Sequence, residues 1–551
     1  LRGDETTLGL MRNEPESFLG VARDLMAWGD YEGAGRVLGL LQSDGPLPAY
    51  YAAFCAARCG RDATGALKEA TARSRAYCFP NALEDIAVLR FAMAQSPGDA
   101  SAPYLLGNLF YDRRRYAEAR ELWERSVELD PGYPTTWRNL ALVYFNKDHE
   151  PQKALERAYA LNPSDARVLL ELDQLHRRAG WDPARRFAYL YAHKDVVFVR
   201  DDLTTEYATL LNLLDRPQEA CDLIMSRRFH PWEGGEGRVT TQYALSLHQL
   251  ARRDLAAGRH DAAEAKLRAA LVFPHNLGEG KLIGARDNDL YYDLGCALEA
   301  QGRTDEARAC WEKATLGDTV PAGAMYYNDQ PADLILYQGL ALRKLGREDE
   351  AKARFHKLLD YGETHIFDEM RIDYFAVSLP DLLIFDDDLN ARNRAHCHYL
   401  IALGSYGLVV NGDDVTATGL FVEHFQKYNT LWKGERGRVI LYQNELPYDP
   451  PTQADWTRPD GTLGYPGYKV ADKVRRHSLS GAGVYVFNQN NPSVLTANGF
   501  EVPDRPGVRL HHVMTVNLSA GTIQHVVNGI GGQADNTNTG TPQFVVDYPT
   551  P

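Results

Sequence analysis

The stretch His396–Asp413, HCHYLIALGSYGLVVNGD, holds the change around which the whole chain sorts itself. Upstream of it nearly every segment reads as an amphipathic helix with alanine at fixed offsets. Downstream the segments are short β-branched runs separated by Asn-Gly and Gly turns. The change falls near Gly404 and Ser405, with no Pro-rich, Ser-rich or charged linker between the two compositions. This pattern predicts a helix over Ala395–Leu403, a strand over Leu408–Val410 and no further repeat helix after residue 405.

Outward toward the N-terminus, the clearest unit is APYLLGNLFYDRRRYAEARELWERSVELDP, Ala102–Pro131. Small residues at Gly107 and Ala119 let two helices approach, Phe110 and Trp123 fill the space between them, and Pro131 stops the second helix. The same grammar returns as Gly295, Leu298, Ala307 and Trp311, as Gly339, Leu342, Ala351 and Phe355, and as Ala251, Ala263, Leu267 and Ala270. An N-terminal copy runs Phe18, Ala22, Leu25, Ala34, Leu38, and a shortened one opens with Trp137, Leu140, Ala141 and Tyr144. The turns WGDY, AGRHD, QGRTD and LGRED each place a Gly before polar residues suited to cap the next helix. The spacing is irregular, with insertions at Phe229–Gly237, at Pro274–Asp289 and in GDTVPAGAMYYNDQ.

These motifs resemble the tetratricopeptide repeat (TPR) over about residues 15–404. The resemblance implies an α-solenoid whose concave surface clamps a peptide or protein partner. Asn108, Tyr111, Arg138 and Asn139 are the candidate partner-binding residues, weighed against their being ordinary solvated helix positions. The array is also similar to the helical portion of large bacterial TPR proteins that follow a β-rich domain, a likeness carried by DYFAVSLPDLLIFDDDLNARNRAHCHYLIALG; it implies that such a domain precedes this chain.

Composition narrows the function classes. The chain carries a net charge of −14, and the first 404 residues hold 49 Lys/Arg against 61 Asp/Glu, a poor footing for neutralising phosphates. Nucleic acid is therefore excluded as a partner, and no run reaches the roughly 18–20 apolar residues of a membrane span. The odd set of seven cysteines, all before the change, reads as reduced and packed thiols. Cys55 and Cys59 lie one helical turn apart without a second pair, so core packing is preferred to metal. His396 and His398 point their rings to different sides of a helix, and Asp386–Asp388 read as a helix start or solvated patch rather than a cation site. No metal and no cofactor is implied. The N-terminus LRGDETTLGLMRNEPES lacks a secretory pattern and an initiator Met, which leaves a removed leader, a removed domain or a fragment.

Downstream the runs are GLVVNGDDVTATGLFVEHF, GRVILYQNEL, GAGVYVFNQNNPSVLTANGFEV, VRLHHVMTVNLS, TIQHVVNGIGG and QFVVDYP. By themselves they suit either a sandwich or the turns of a parallel β-helix. The segment GLVVNGDDVTATGLFVEHFQKYNTLWKGERGRVILYQNELPYDPP resembles the closing coils of β-helix proteins similar to glycoside hydrolase family 55, the β-1,3-glucanases. The resemblance implies inversion by a carboxylic acid and a held water. It casts Glu445 in YQNELPYD as the general acid, Glu423 in FVEHF as its carboxylate neighbour, and Gln443, Tyr442 and Trp432 as the lining of a sugar subsite. The earlier coils that hold the water in that family have no counterpart here, so a complete active site is not expected from this chain alone.

The resulting expectation is a mixed α and β chain: a TPR-type α-solenoid over 1–404 and, over 405–551, a short β-rich segment resembling part of a right-handed parallel β-helix. The leading function is a scaffold that binds a protein or peptide and carries a carbohydrate-related C-terminal segment, with β-glucan or another polysaccharide as the second partner class. The alternative is an inverting β-1,3-glucan hydrolase. Two partial families abutting without a linker also fit an artificial fusion. Reduced cysteines point to the cytoplasm and the β-helix resemblance to secretion, so the compartment stays open.

Overall fold

The computed structural model describes residues 5–148, 153–232, 234–281, 284–323, 329–371, 384–405, 408–448, 450, 452–454, 456–489 and 491–549. It divides into two compact units, Leu1–Gln242 with Asp381–Asp387, and Tyr243–Pro380 with Asp388–Pro551.

In the first unit, helix pairs run from Pro15–Ala27 and Tyr31–Leu38 to Asp201–Leu213 and Pro217–Met225 around a continuous apolar core. The small and large positions meet as their spacing implies. A Cβ on Gly107 would lie 2.5 Å from the Trp123 ring, whose Nε1 donates to the Tyr104 carbonyl at 3.2 Å. At the turn, Gly29 adopts a left-handed φ of 82° and the Asp30 amide reaches back to the Leu25 carbonyl at 2.9 Å, closing the first helix. Asp30 then caps the next helix by accepting from the Gly33 amide at 2.7 Å. The acid run splits between roles: Asp386 and Asp387 meet Lys147 and Arg178 at 3.4 and 3.3 Å within this unit.

The second unit repeats the helix grammar in Asn288–Ala300 with Thr304–Ala314, and in Leu334–Lys344 with Glu348–His365. Gly295 sits against Trp311 and Gly339 against Phe355, where a Cβ would come within 2.3 and 2.4 Å. The expected caps differ here. Arg303 and Arg347 occupy the Asp30 position, and a guanidinium has no acceptor to offer; each instead clips the Glu three residues on with two hydrogen bonds of 2.6–2.7 Å. The last helix, Leu389–Ser405, starts at Asp388, which accepts from the Ala391 amide at 2.9 Å. It packs so closely on Glu348–His365 that a Cβ on Gly404 would lie 2.7 Å from the Phe355 carbonyl.

Among the described residues ten strands follow, the first at the expected place: β1 Leu408–Val410, β2 Thr416–Phe421, β3 Thr430–Trp432, β4 Gly437–Glu445, β5 Tyr468–Val470, β6 His477–Val486, β7 Leu495–Glu501, β8 Val508–Asn517, β9 Thr522–Val527 and β10 Gln543–Tyr548. The chain alternates between two five-stranded sheets, ordered β1-β3-β5-β7-β9 and β10-β8-β6-β4-β2. All neighbours are parallel except β10, which closes antiparallel on β8. Each coil therefore lays one strand in each sheet, with Trp432, Tyr442, Tyr468 and Phe500 buried between them.

A column of left-handed residues crosses the second sheet. The ladder pairs Thr418 with Ile440 and Leu420 with Tyr442, then Ile440 with Ser480 and Tyr442 with Ala482, then Ser480 with His511 and Ala482 with Val513. The residues stepped over, Gly419, Leu441, Gly481 and His512, have φ of 64°, 64°, 69° and 50°. Each breaks the two-residue alternation, so Val439 and Tyr442 both point inward while Ile440 and Leu441 are exposed. Beyond the column Gln443 and Glu445 face outward, the reverse of what uninterrupted alternation from Val439 gives.

Candidate functional site

Glu423 and Glu445 come together on the outer side of adjacent coils because the coil after β2 pairs its backbone with the end of β4: Val422 donates to the Gln443 carbonyl at 3.2 Å and His424 to the Glu445 carbonyl at 2.9 Å. Glu445 Oε2 lies 3.2 Å from His424 Nε2 and accepts from the Tyr448 hydroxyl. Glu423 Oε1 accepts from Gln443 Nε2 at 3.2 Å. Burial, reinforced by the neighbouring charge of Glu445, pushes the Glu423 carboxyl above its ordinary range. Glu423, His424, Phe425 and Gln426 form one wall of a cleft; Arg343, Glu348, Lys352, Phe355 and His356 from the repeat helices form the other, with Gly404 between.

The raised Glu423 has a consequence for stability. A carboxyl whose folded pKa lies above its unfolded value stabilises the fold below the unfolded pKa and loses that contribution as pH rises through the folded one. Glu423→Gln keeps an uncharged hydrogen-bonding group there and is expected to raise the thermal midpoint at neutral pH. The gain should vanish as pH is lowered through the carboxylate range, which scanning calorimetry at several pH values would show.

Two of the expected sugar-lining residues need correcting. Trp432 is fully buried, stacked 6.5 Å from Tyr468 and 4.9 Å from His477, and Tyr442 spends its hydroxyl on the Thr430 hydroxyl and the Gly467 carbonyl at 3.0 and 2.8 Å. Both are core residues, because Trp432 ends an inward-facing strand and the Leu441 kink turns Tyr442 inward, so neither offers a ring face to a sugar. Gln443 does face outward, in a row that runs Phe421, Gln443, Gly483, Met514 and Phe544 across the sheet. Phe421 and Phe544 are 58% and 55% exposed, and Tyr448 and Tyr485 are half-buried near the carboxylates. These aromatic side chains were not singled out from the sequence. Their one signal there is a glycine two residues before the row in β2 and β6, Gly419 and Gly481.

The four candidate partner-binding residues lie in the first unit and are engaged between repeats. Arg138 forks onto buried Glu171 at 2.7 and 2.6 Å, and Asn108 accepts from Asn139 at 3.0 Å and from Trp123 at 3.1 Å. Tyr111 packs 5.3 Å from the Trp123 ring and 5.0 Å from the Tyr116 ring. In the second unit a different polar cluster lies across the repeat helices: His248 is held between Asp289 at 3.2 Å and Asp293 at 2.6 Å, with Arg252 3.2 Å from Asp293. Burial opposes its charge, yet the two carboxylates outweigh burial and push the imidazole up to about 9.

A TPR repeat model matches residues 87–148, and tetratricopeptide repeat models match 289–316 and 333–361. A LAM55 pectate lyase-like domain model matches residues 357–445. That match begins inside the helix Glu348–His365, so it crosses the change from helix to strand, and it includes both Glu423 and Glu445. An exo-beta-1,3-glucanase from Streptomyces sp. (strain SirexAA-E / ActE) is 45% identical over 145 residues, which are 26% of this chain and 24% of that protein. The chain thus spans about a quarter of the length of the curated relative it matches. Among solved structures, sacteLam55A from Streptomyces sp. SirexAA-E shares 44% identity over 26% of each chain with a TM-score of 0.26. MamA from Desulfovibrio magneticus RS-1 shares 17% over 34% of this chain and 96% of its own, with a TM-score of 0.21. Among the described residues no helix is long and apolar enough to cross a membrane.

Proposed function

We propose that residues 1–404 act as a protein-binding repeat scaffold and that residues 405–551 present a carbohydrate-binding face, with Glu423, Gln443 and Glu445 as its polar centre. The observation that carries this reading is the outward pair of carboxyls, Glu423 raised above its ordinary range by burial, beside the exposed Phe421 ring in a segment matched by the LAM55 model. Carboxylates accept hydrogen bonds from sugar hydroxyls, and ring faces stack on pyranose C–H groups. The protein partner is expected to be basic or neutral, in keeping with the acidic array.

A hydrolase is the second reading, favoured by one observation: His424 and Tyr448 hold the Glu445 carboxyl as a neighbour of Glu423, and acid catalysis with water activation uses a pair of carboxyls. The two readings separate in one experiment on the full chain with laminarin and laminari-oligosaccharides. The scaffold reading expects binding, weakened in Glu445→Gln, and no released glucose. Release by the wild type that Glu445→Gln abolishes would establish the hydrolase instead. Neither binding nor release would remove β-1,3-glucan as the ligand.

A further inference from the structure

The cleft that holds Glu423 carries one carboxylate on each wall but its Arg and Lys on only one. The coil wall carries Glu423, whose carboxylate only accepts hydrogen bonds when ionised. The helical wall carries Arg343, Lys352 and His356, which can donate, beside Glu348. Arg343 faces Glu348 at 3.4 Å, but Lys352 and His356, both half-buried, have no ion pair and no hydrogen bond among the described residues. The Lys352 ammonium stands 5.9 Å over the Tyr448 ring, the same ring whose hydroxyl is bonded to Glu445. Lys352 thus keeps hydrogen-bond donors that no described carboxylate meets, and an anion entering the cleft on this side would meet them.

The wall is also firmly placed. Helix Glu348–His365, which bears Lys352 and His356, meets the coil through Phe355 against Phe425 at 6.3 Å and through Glu363 to Lys427 at 3.0 Å. Gly404, which also lines the cleft, packs against the same helix with no room for a Cβ. The helix that bears the donors is therefore held against the coil that bears Glu423.

We propose that this cleft is a composite site for an acidic oligosaccharide, whose hydroxyls bond Glu423 and Glu445 while its carboxylate pairs with Lys352 on the repeat helix. This rests on the carbohydrate-binding reading above and adds the class of sugar. The preference arises from the helical wall, so the repeat array is part of the ligand site.

The test uses the full chain and two ligands that differ in one group: laminaritetraose and the same tetrasaccharide oxidised at C6 to glucuronate, titrated calorimetrically at low and high salt. The oxidised ligand is expected to bind about tenfold more tightly, a charge pair's worth of about 1.4 kcal/mol, with the advantage shrinking in salt. Lys352→Met, which keeps the aliphatic stem, should erase the preference, and Lys352→Arg should keep it. Equal affinities, a preference for the neutral ligand, or a preference that survives Lys352→Met would overturn the proposal while leaving the carbohydrate reading standing, since the neutral tetrasaccharide still binds. Binding of neither ligand would overturn both. The comparison of the two ligands on wild-type protein decides the matter even if a Lys352 variant fails to fold.

Discussion

Glu501→Ala is expected to destabilise the second unit by about 3–5 kcal/mol, the cost of stranding a buried cation. Glu501 and Arg458 are both buried, joined by two hydrogen bonds of 2.6 and 2.7 Å, with Lys469 at 3.3 Å and the Asn498 amide at 3.1 Å on the same carboxylate. Burial works against the charge of Glu501, yet the Arg458 hydrogen bonds and the two nearby cations prevail and hold its carboxyl below the usual range. The folded pKa lies below the unfolded one, so this contribution is present above the unfolded carboxyl pKa and is lost as pH falls through the folded value. Urea titrations should accordingly show a large gap between wild type and Glu501→Ala at neutral pH that narrows in acid. Replacing both partners, Arg458→Met with Glu501→Leu, should recover much of the loss, because no buried charge is then left alone. A single variant as stable as wild type would mean that water reaches the pair.

Trp311→Ala should cost a similar amount, about 3–5 kcal/mol, because the indole fills the space that Gly295 leaves open. Gly295→Ala approaches the same contact from the other side. Its methyl carbon would lie 2.3 Å from the indole nitrogen, and the overpacking is expected to cost about 1–3 kcal/mol. The two changes share one volume, so their effects should not add: in the Trp311→Ala background, Gly295→Ala should be nearly neutral or stabilising. A double-mutant cycle by thermal unfolding checks this. Strict additivity would show that the indole moves aside and that the glycine is not required by packing.

The repeats were legible because their determinants are local. Gly107 and Trp123, or Gly295 and Trp311, lie sixteen residues apart, within one helix pair whose geometry follows from the spacing. The engagement of the four partner-binding candidates was hidden for the opposite reason: Arg138 and Glu171 are separated by 33 residues and Asn108 and Asn139 by 31, so their pairing depends on how successive repeats stack. In the coil the existence of strands could be read from the short β-branched runs and the turns between them. The inward turn of Tyr442 could not, since Leu441 carries no mark of a left-handed backbone in its side chain. The helical wall was equally hidden, because nothing in the local pattern around Lys352 announces a cleft against residues some seventy positions later.

The left-handed column across β2, β4, β6 and β8 stores the orientation of the outer face, with Gln443 and Glu445, as a parity. Each strand enters with one side chain inward and leaves, past a single stepped-over residue, with the assignment of odd and even positions exchanged. Gain or loss of one residue in one strand would turn Gln443 and Glu445 into the core and Tyr442 out to solvent, but the neighbouring strands, still carrying their own stepped-over residues at Gly419 and Gly481, would no longer pair with it. The four strands thus check one another, as redundant bits do in an error-detecting code. Substitutions can revise the chemistry of this face one residue at a time, whereas an insertion or deletion has to be made in all four strands at once to be folded at all.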